Sequence, residues 1–260
     1  MLDVSAFSPL IITRPQPVAN EWMRALAARG VAARALPLIE TAPAPEVAAL
    51  QRARQYVPQQ DAVMFVSGQA VQHFLTPPGL AAASEAAAWV TGEGTAAALQ
   101  RAGWPAARIV QPAPDAPQRD SEALWAQVGA SVRAGAVRRV LIVRGGDESG
   151  RVQGRDWLAA RLRECGVQVA QVVAYVRRAP QWSAAQRAEA ARLAAGGALW
   201  LLASSQALQH LCALLPQHDW SGAAALTVHP RIAAAAREAG FGHVVQAAAA
   251  SLDAVLAAVS

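Results

Sequence analysis

The chain has 260 residues, a length suited to one large domain or two of ordinary size. About a quarter of it is alanine, only 16% is charged, and leucine, valine and isoleucine are plentiful, which excludes global disorder. All 23 basic residues are arginine, against 18 acidic ones, for a net charge of +5; they are scattered, with only Arg138–Arg139 and Arg177–Arg178 adjacent, so no basic stripe supports nucleic-acid binding.

In chain order, short apolar runs alternate with Ala/Leu/Arg-rich stretches. Strand Leu10–Thr13, helix Val18–Arg29 and strand Ala33–Leu36 come first, followed by helix Pro45–Tyr56, strand Ala62–Val66 and helix Gln69–Leu75. Strand Ala88–Thr91, helix Thr95–Ala102 and strand Arg108–Val110 lead into a Pro-rich linker or loop at Pro112–Pro117. Helix Ser121–Ala134, strand Val140–Val143, helix Arg155–Cys165 and strand Val169–Tyr175 come next. The remainder reads as helix Ala184–Ala195, strand Ala198–Ala203, helix Gln206–Leu214, strand Ala225–Val228, helix Pro230–Ala239, strand His243–Val245 and helix Ser251–Ala258. Gly30, Gly103, Gly166 and Gly240 stand where helices end. The alternation predicts an α/β protein with parallel sheets.

The stretch Leu193–His218 has no Asp, Glu or Arg and is long enough to span a membrane, but Ser204, Ser205, Gln206, Gln209 and His210 interrupt it. It reads as a buried strand followed by a helix. The first fifteen residues have no basic segment ahead of their short apolar run and do not read as a signal peptide. A soluble cytoplasmic protein is expected. Cys165 and Cys212 form neither a CxxC nor a zinc spacing, and both are expected to be buried free thiols on helices.

An internal repeat organises these elements. Ser67-Gly-Gln-Ala-Val-Gln-His-Phe74 resembles Ser204-Ser-Gln-Ala-Leu-Gln-His-Leu211, and Thr95–Gly103 resembles Ile232–Gly240, both pairs at the same offset of 137 residues. Leu10–Arg14 matches Val140–Arg144 and Ala28–Val31 matches Glu164–Val167 at offsets of 130 and 136, the difference placing a short insertion near Glu148–Gly154. Two related α/β domains with a cleft between them follow.

Ligands of open parallel sheets bind where strand ends lead into helix starts. Four junctions carry suitable groups there: Ser67-Gly68, Gly92–Thr95, Arg144–Gly146 and Ser204-Ser205. Each would cradle an anion through free N–H groups and the helix dipole, although Ser and Thr are also ordinary helix N-caps. No P-loop, GxGxxG, GxSxG or HExxH motif is present. His73 and His210 hold equivalent repeat positions on helices, which suits packing or surface roles, and the tryptophans are too dispersed to form a stacking platform.

At these junctions the chain resembles the uroporphyrinogen-III synthase family over nearly its whole length. The resemblance rests on Thr13-Arg14-Pro15, Phe65–Val71, Val90–Ala96, Leu141–Gly145, Val173–Arg177, Ser204-Ser205 and Thr227–Pro230. The chain departs from the family pattern at Val66, His229 and Ile232. The resemblance implies two α/β domains joined by a two-stranded connector, one formed by residues 1–36 plus 175–260 and the other by residues 39–171. It implies a monomer that needs no metal or other cofactor; the scattered arginines and the interrupted apolar stretch set aside nucleic acid and membrane as partners. Its implied substrate is hydroxymethylbilane, a linear tetrapyrrole with eight carboxylates, which it closes with loss of water and inversion of ring D. Tyr175 is implied as the catalytic residue, with Thr13, Arg14, Ser67, Gly68, Thr95, Arg144, Gly145, Ser204 and Ser205 binding substrate. The residues also suit a second reading, a two-domain binding or sensor protein for a small anionic metabolite.

Overall fold

The computed structural model describes residues 6–76, 80, 85–113, 116, 118–152 and 156–259. Its elements, in order, are β1 (Leu10–Ile12), α1 (Gln16–Ala27), β2 (Ala33–Ala35), β3 (Glu40–Pro43), α2 (Val47–Gln55), β4 (Ala62–Phe65), α3 (Gly68–Phe74), β5 (Ala87–Trp89), α4 (Glu93–Arg101) and β6 (Ile109–Val110). They continue with α5 (Ser121–Arg133), β7 (Arg139–Gly146), α6 (Trp157–Glu164), β8 (Gln168–Arg178), α7 (Ala184–Ala194), β9 (Leu199–Leu202), α8 (Ser205–Leu214), β10 (Ala224–Thr227), α9 (Pro230–Glu238), β11 (His243–Gln246) and α10 (Leu252–Val259). Residues 114, 115 and 117 of the Pro-rich stretch, 153 and 154 of the expected insertion, and Arg155, the expected start of α6, lie outside the described residues.

Two compact units result, one of residues 1–40 with 178–260 and the other of residues 41–177. The chain passes from one to the other within β3 and at the end of β8, which are neighbours in the same sheet. The first unit's sheet has the order β11-β10-β9-β1-β2, and the second unit's has β3-β8-β7-β4-β5-β6. The pairings among β1, β2, β9, β10 and β11 and among β4 to β8 are parallel, with Leu10 opposite both Ala33 and Leu199 and with Val63 opposite both Ala88 and Leu141. The repeated elements exchange partners: β1, with β2 on its other side, pairs with β9 of the second half-sequence, while β7, with β8 on its other side, pairs with β4 of the first.

Each sheet is buried on both faces, which is why its strands read as unbroken apolar runs. In the first unit Ile11 and Trp200 face Leu193, Leu208 and Ile232 of α7, α8 and α9, while Leu10 and Ile12 face Trp22 and Leu26 of α1 and Val255 of α10. In the second, Val63 and Phe65 pack on Leu50, Phe74 and Leu99 of α2, α3 and α4. Ala62 and Met64 pack on Leu124 and Leu158 of α5 and α6. The stretch from Leu193 is the end of α7, then β9 and α8, and no helix among the described residues is long and apolar enough to cross a membrane.

Three local expectations need correcting. Glu40–Pro43 forms a strand that the apolar pattern did not reveal, because an edge strand tolerates its polar and proline positions. Arg144–Gly146 is not a strand-to-helix junction: β7 runs through Gly146, and α6 begins only at Trp157. Cys165 is exposed just beyond α6, and Cys212 is half-buried rather than enclosed.

At the opposite strand ends Asp61 ties β4 to β7, its carboxylate accepting the N–H groups of Arg138 and Arg139 at 2.7 and 2.9 Å. Burial alone would raise its pKa, but those two N–H donors and the neighbouring guanidinium charges outweigh burial and hold it below the ordinary carboxylate value. A depressed pKa stabilises the fold above the unfolded-state value, and the benefit is lost as pH falls through the folded one. Asp61→Ala should therefore cost about 1–2 kcal/mol at pH 7, with the gap from wild type closing on acidification; thermal unfolding at pH 7 and pH 3 measures it.

Candidate functional site

A crevice opens at the carboxyl ends of an open parallel sheet where neighbouring strands send their crossovers in opposite directions. In the second unit that point lies between β7, which leads to β8, and β4, which leads to β5. In the first it lies between β1 and β9. Most of the residues singled out from sequence fall at these two points.

In the second unit, the chain leaves β4 extended at Ser67, whose Oγ caps α3 by accepting the Ala70 N–H at 3.2 Å. The same Oγ lies 3.1 Å from the phenolic oxygen of Tyr175 on β8. Tyr175 is only 1% exposed and packs among Phe65, Val143 and Ala174. Its ring occupies space that a side chain at Gly145 would need: a Cβ there would stand 2.6 Å from Tyr175 Cζ. Gly145 and Tyr175 are register partners, brought opposite by an irregularity in the ladder after Arg144.

Two further residues complete the cluster. The His73 ring stacks on Tyr175 with centroids 5.8 Å apart and planes 24° apart. Burial holds the His73 imidazole below its ordinary pKa of 6.5, so it is neutral at pH 7. Arg54 of α2 donates to the His73 and Phe74 carbonyls at 2.7 and 2.8 Å, completing the end of α3 that carries this ring. Arg177, two residues beyond Tyr175 and so on the same strand face, brings Nη2 to 3.3 Å from the phenolic oxygen. The sequence suits His73 to a packing or surface role and marks no role for Arg177; the period-two spacing of Tyr175 and Arg177 is the signal that points to the pair.

Gly68 opens α3, and a Cβ on it would meet Ala98 of α4 at 3.8 Å. Thr95 is buried in the first turn of α4, behind the Gly92 cap. Arg144 does not join the cluster. It is 4% exposed, and its guanidinium binds Gln171 Oε1 at 2.9 Å and Asp156 Oδ1 at 3.4 Å, beside the start of α6.

In the first unit, Thr13 is buried beyond β1 and donates its hydroxyl to the Leu201 carbonyl of β9, tying the two strands together at the switch point. Arg14 donates to the Ala250 carbonyl at 2.8 Å and lies 4.3 Å over the Trp22 ring. Ser204 caps α8 through the Ala207 N–H at 3.0 Å, repeating the Ser67 arrangement. Ser205 follows as the first helical residue, its Oγ shielded from solvent and without a hydrogen-bond partner among the described residues. His210, the repeat equivalent of His73, meets the Leu38 carbonyl at 2.6 Å instead of an aromatic ring. His229 caps α9 by accepting the Arg231 N–H at 3.1 Å.

The fold and these paired switch points define a class: two-domain α/β proteins with parallel sheets, whose chain crosses between domains twice. Within it, a model of the family "Uroporphyrinogen-III synthase HemD" matches residues 20–257, and the chain belongs to that family. Among solved structures it is similar to the uroporphyrinogen-III synthetase of Helicobacter pylori, at 18% identity and a TM-score of 0.55, over 86% of this chain and 91% of that one. It is also similar to a mutant uroporphyrinogen III synthase of Thermus thermophilus, at 16% identity and a TM-score of 0.50, over 95% of each chain. At such identities the likeness is one of fold.

Proposed function

We propose that this protein closes hydroxymethylbilane to uroporphyrinogen III, releasing water and inverting ring D, as a cytoplasmic, monomeric, cofactor-free lyase whose two domains are the two α/β units. The family match across residues 20–257 carries this reading. The chemistry of the switch points supports it. A substrate with eight carboxylates calls for N–H donors at helix starts and for hydroxyls, and the capped starts of α3 and α8 supply both. Free substrate closes without inversion, so the catalytic task is to hold a flexible chain in the geometry that leads through the substituted carbon of ring D. Thr13, Arg14, Ser67, Gly68, Thr95, Gly145, Ser204 and Ser205 are the proposed binding set. Arg144 belongs to it as the buried support of the β7 end. The Ser67–Tyr175 pair is placed at the departing hydroxyl of ring A.

The test is incubation with fresh hydroxymethylbilane and separation of the oxidised porphyrin isomers. Type III product is expected, and type I alone would overturn the assignment. Tyr175→Phe, which removes the phenolic oxygen and keeps the ring, should lower type III formation about tenfold or more. An unchanged rate would remove Tyr175 from the site. No observation favours a non-catalytic sensor, which the same assay would reveal.

A further inference from the structure

The bonding capacity of the groups around Tyr175 determines which way their protons point. A guanidinium donates and cannot accept, so Arg177 Nη2 donates to the phenolic oxygen. The phenol proton then has Ser67 Oγ as its partner at 3.1 Å. The reverse arrangement, with serine donating to the phenol, would leave the proton of a side chain that is 1% exposed without an acceptor, a costly state for a buried hydroxyl. Ser67 Oγ also accepts the Ala70 N–H, so both its lone pairs are engaged. The proton of Ser67, on a half-buried residue at the strand end, is therefore the one with no acceptor among the described residues.

We propose that Ser67, not Tyr175, is the group that meets the substrate's departing hydroxyl, and that Tyr175 and Arg177 are positioning residues behind it. This rests on the cyclisation reading above. As the carbon–oxygen bond breaks, the departing hydroxyl takes the serine proton and leaves as water, and serine takes the phenol proton. The tyrosinate, beside the Arg177 guanidinium, balances the cationic carbon. It recovers its proton when the last pyrrole to form a bond loses one and regains aromaticity. Gly145 leaves room for the ring that aligns this chain.

The chain has only two tyrosines. In a Tyr56→Phe background, tyrosine labelled with 13C at ζ gives a single resonance, from Tyr175. Ser67→Ala and Arg177→Gln should each shift that line; if neither does, the proposed order of bonds is wrong, whatever the activity. In the isomer assay Ser67→Ala should lower kcat about a hundredfold with KM changed less than about threefold, and Ser67→Thr should recover most of the loss. Adding Tyr175→Phe to Ser67→Ala should cost nothing further, because tyrosine acts through serine. Multiplied losses would show Tyr175 meeting substrate independently and overturn the proposal. A wild-type protein that makes no type III product would overturn the cyclisation reading and the substrate contact, while the labelled spectrum would still judge the bond order.

Discussion

Gly145→Ala is expected to displace the Tyr175 ring and lower type III formation about a hundredfold, the scale of loss that follows from moving an aligned group by about 1 Å. The added Cβ would lie 2.6 Å from Tyr175 Cζ and 2.9 Å from its phenolic oxygen, closer than non-bonded atoms approach. The ring cannot simply settle nearby, because His73 stacks on it and Phe65 and Val143 pack around it. Overpacking of this kind should also cost about 1–3 kcal/mol, read from thermal or denaturant unfolding. In a Tyr175→Ala background the methyl group has space, so the same substitution should then be nearly neutral for stability. Wild-type activity and stability in Gly145→Ala would show that glycine is not required for the ring's position.

Gly242→Ala should be the more damaging change to stability, and for a different reason. A Cβ at Gly242 would stand 1.9 Å from the Ser221 carbonyl oxygen and 2.9 Å from its carbon. The obstacle is backbone, so no rotamer change relieves it. The Gly242 N–H is held by the Trp220 carbonyl at 3.2 Å. Trp220 in turn stacks on Phe241 with centroids 4.8 Å apart and meets Trp200 edge-on. Separating these segments opens the aromatic corner of the first unit's core, and a loss of about 3 kcal/mol or more is expected. The denaturant midpoint followed by tryptophan fluorescence measures it, and a loss under about 1 kcal/mol would contradict this account.

The two glycines show how unevenly the sequence speaks. Gly145 falls in a motif, but nothing local says that a tyrosine thirty residues later will occupy its missing side chain. Gly242 falls in no motif at all. Ser67 and Ser204 were legible as helix starts because capping is local chemistry, and both cap as expected. Arg144 was legible only as an arginine at a strand end. Its partners Asp156 and Gln171 come from two other elements, so its burial and orientation depend on packing. Arg177 stands two residues from Tyr175 on one strand, but the Ser67 hydroxyl that gives the pair its purpose comes from 108 residues earlier and meets Tyr175 only in the folded sheet.

From its sequence alone this chain, alanine-rich and with arginine as its only basic residue, is two copies of a parallel α/β pattern, with strands, helices, glycine stops and serine caps in the right places. Apolar period, capping and turn chemistry act over a few residues, so they are written locally. Only the tertiary structure decided which strands share a sheet. β1 resembles β7 in sequence and is as apolar on both faces, so local pattern cannot choose between them. The choice lies in the register that sets Leu10 beside Leu199 and Val63 beside Leu141, and in the packing of each sheet's helices. That exchange of strands puts Thr13 against β9 and Ser67, at the end of β4, against Tyr175, and so builds a switch point in each unit.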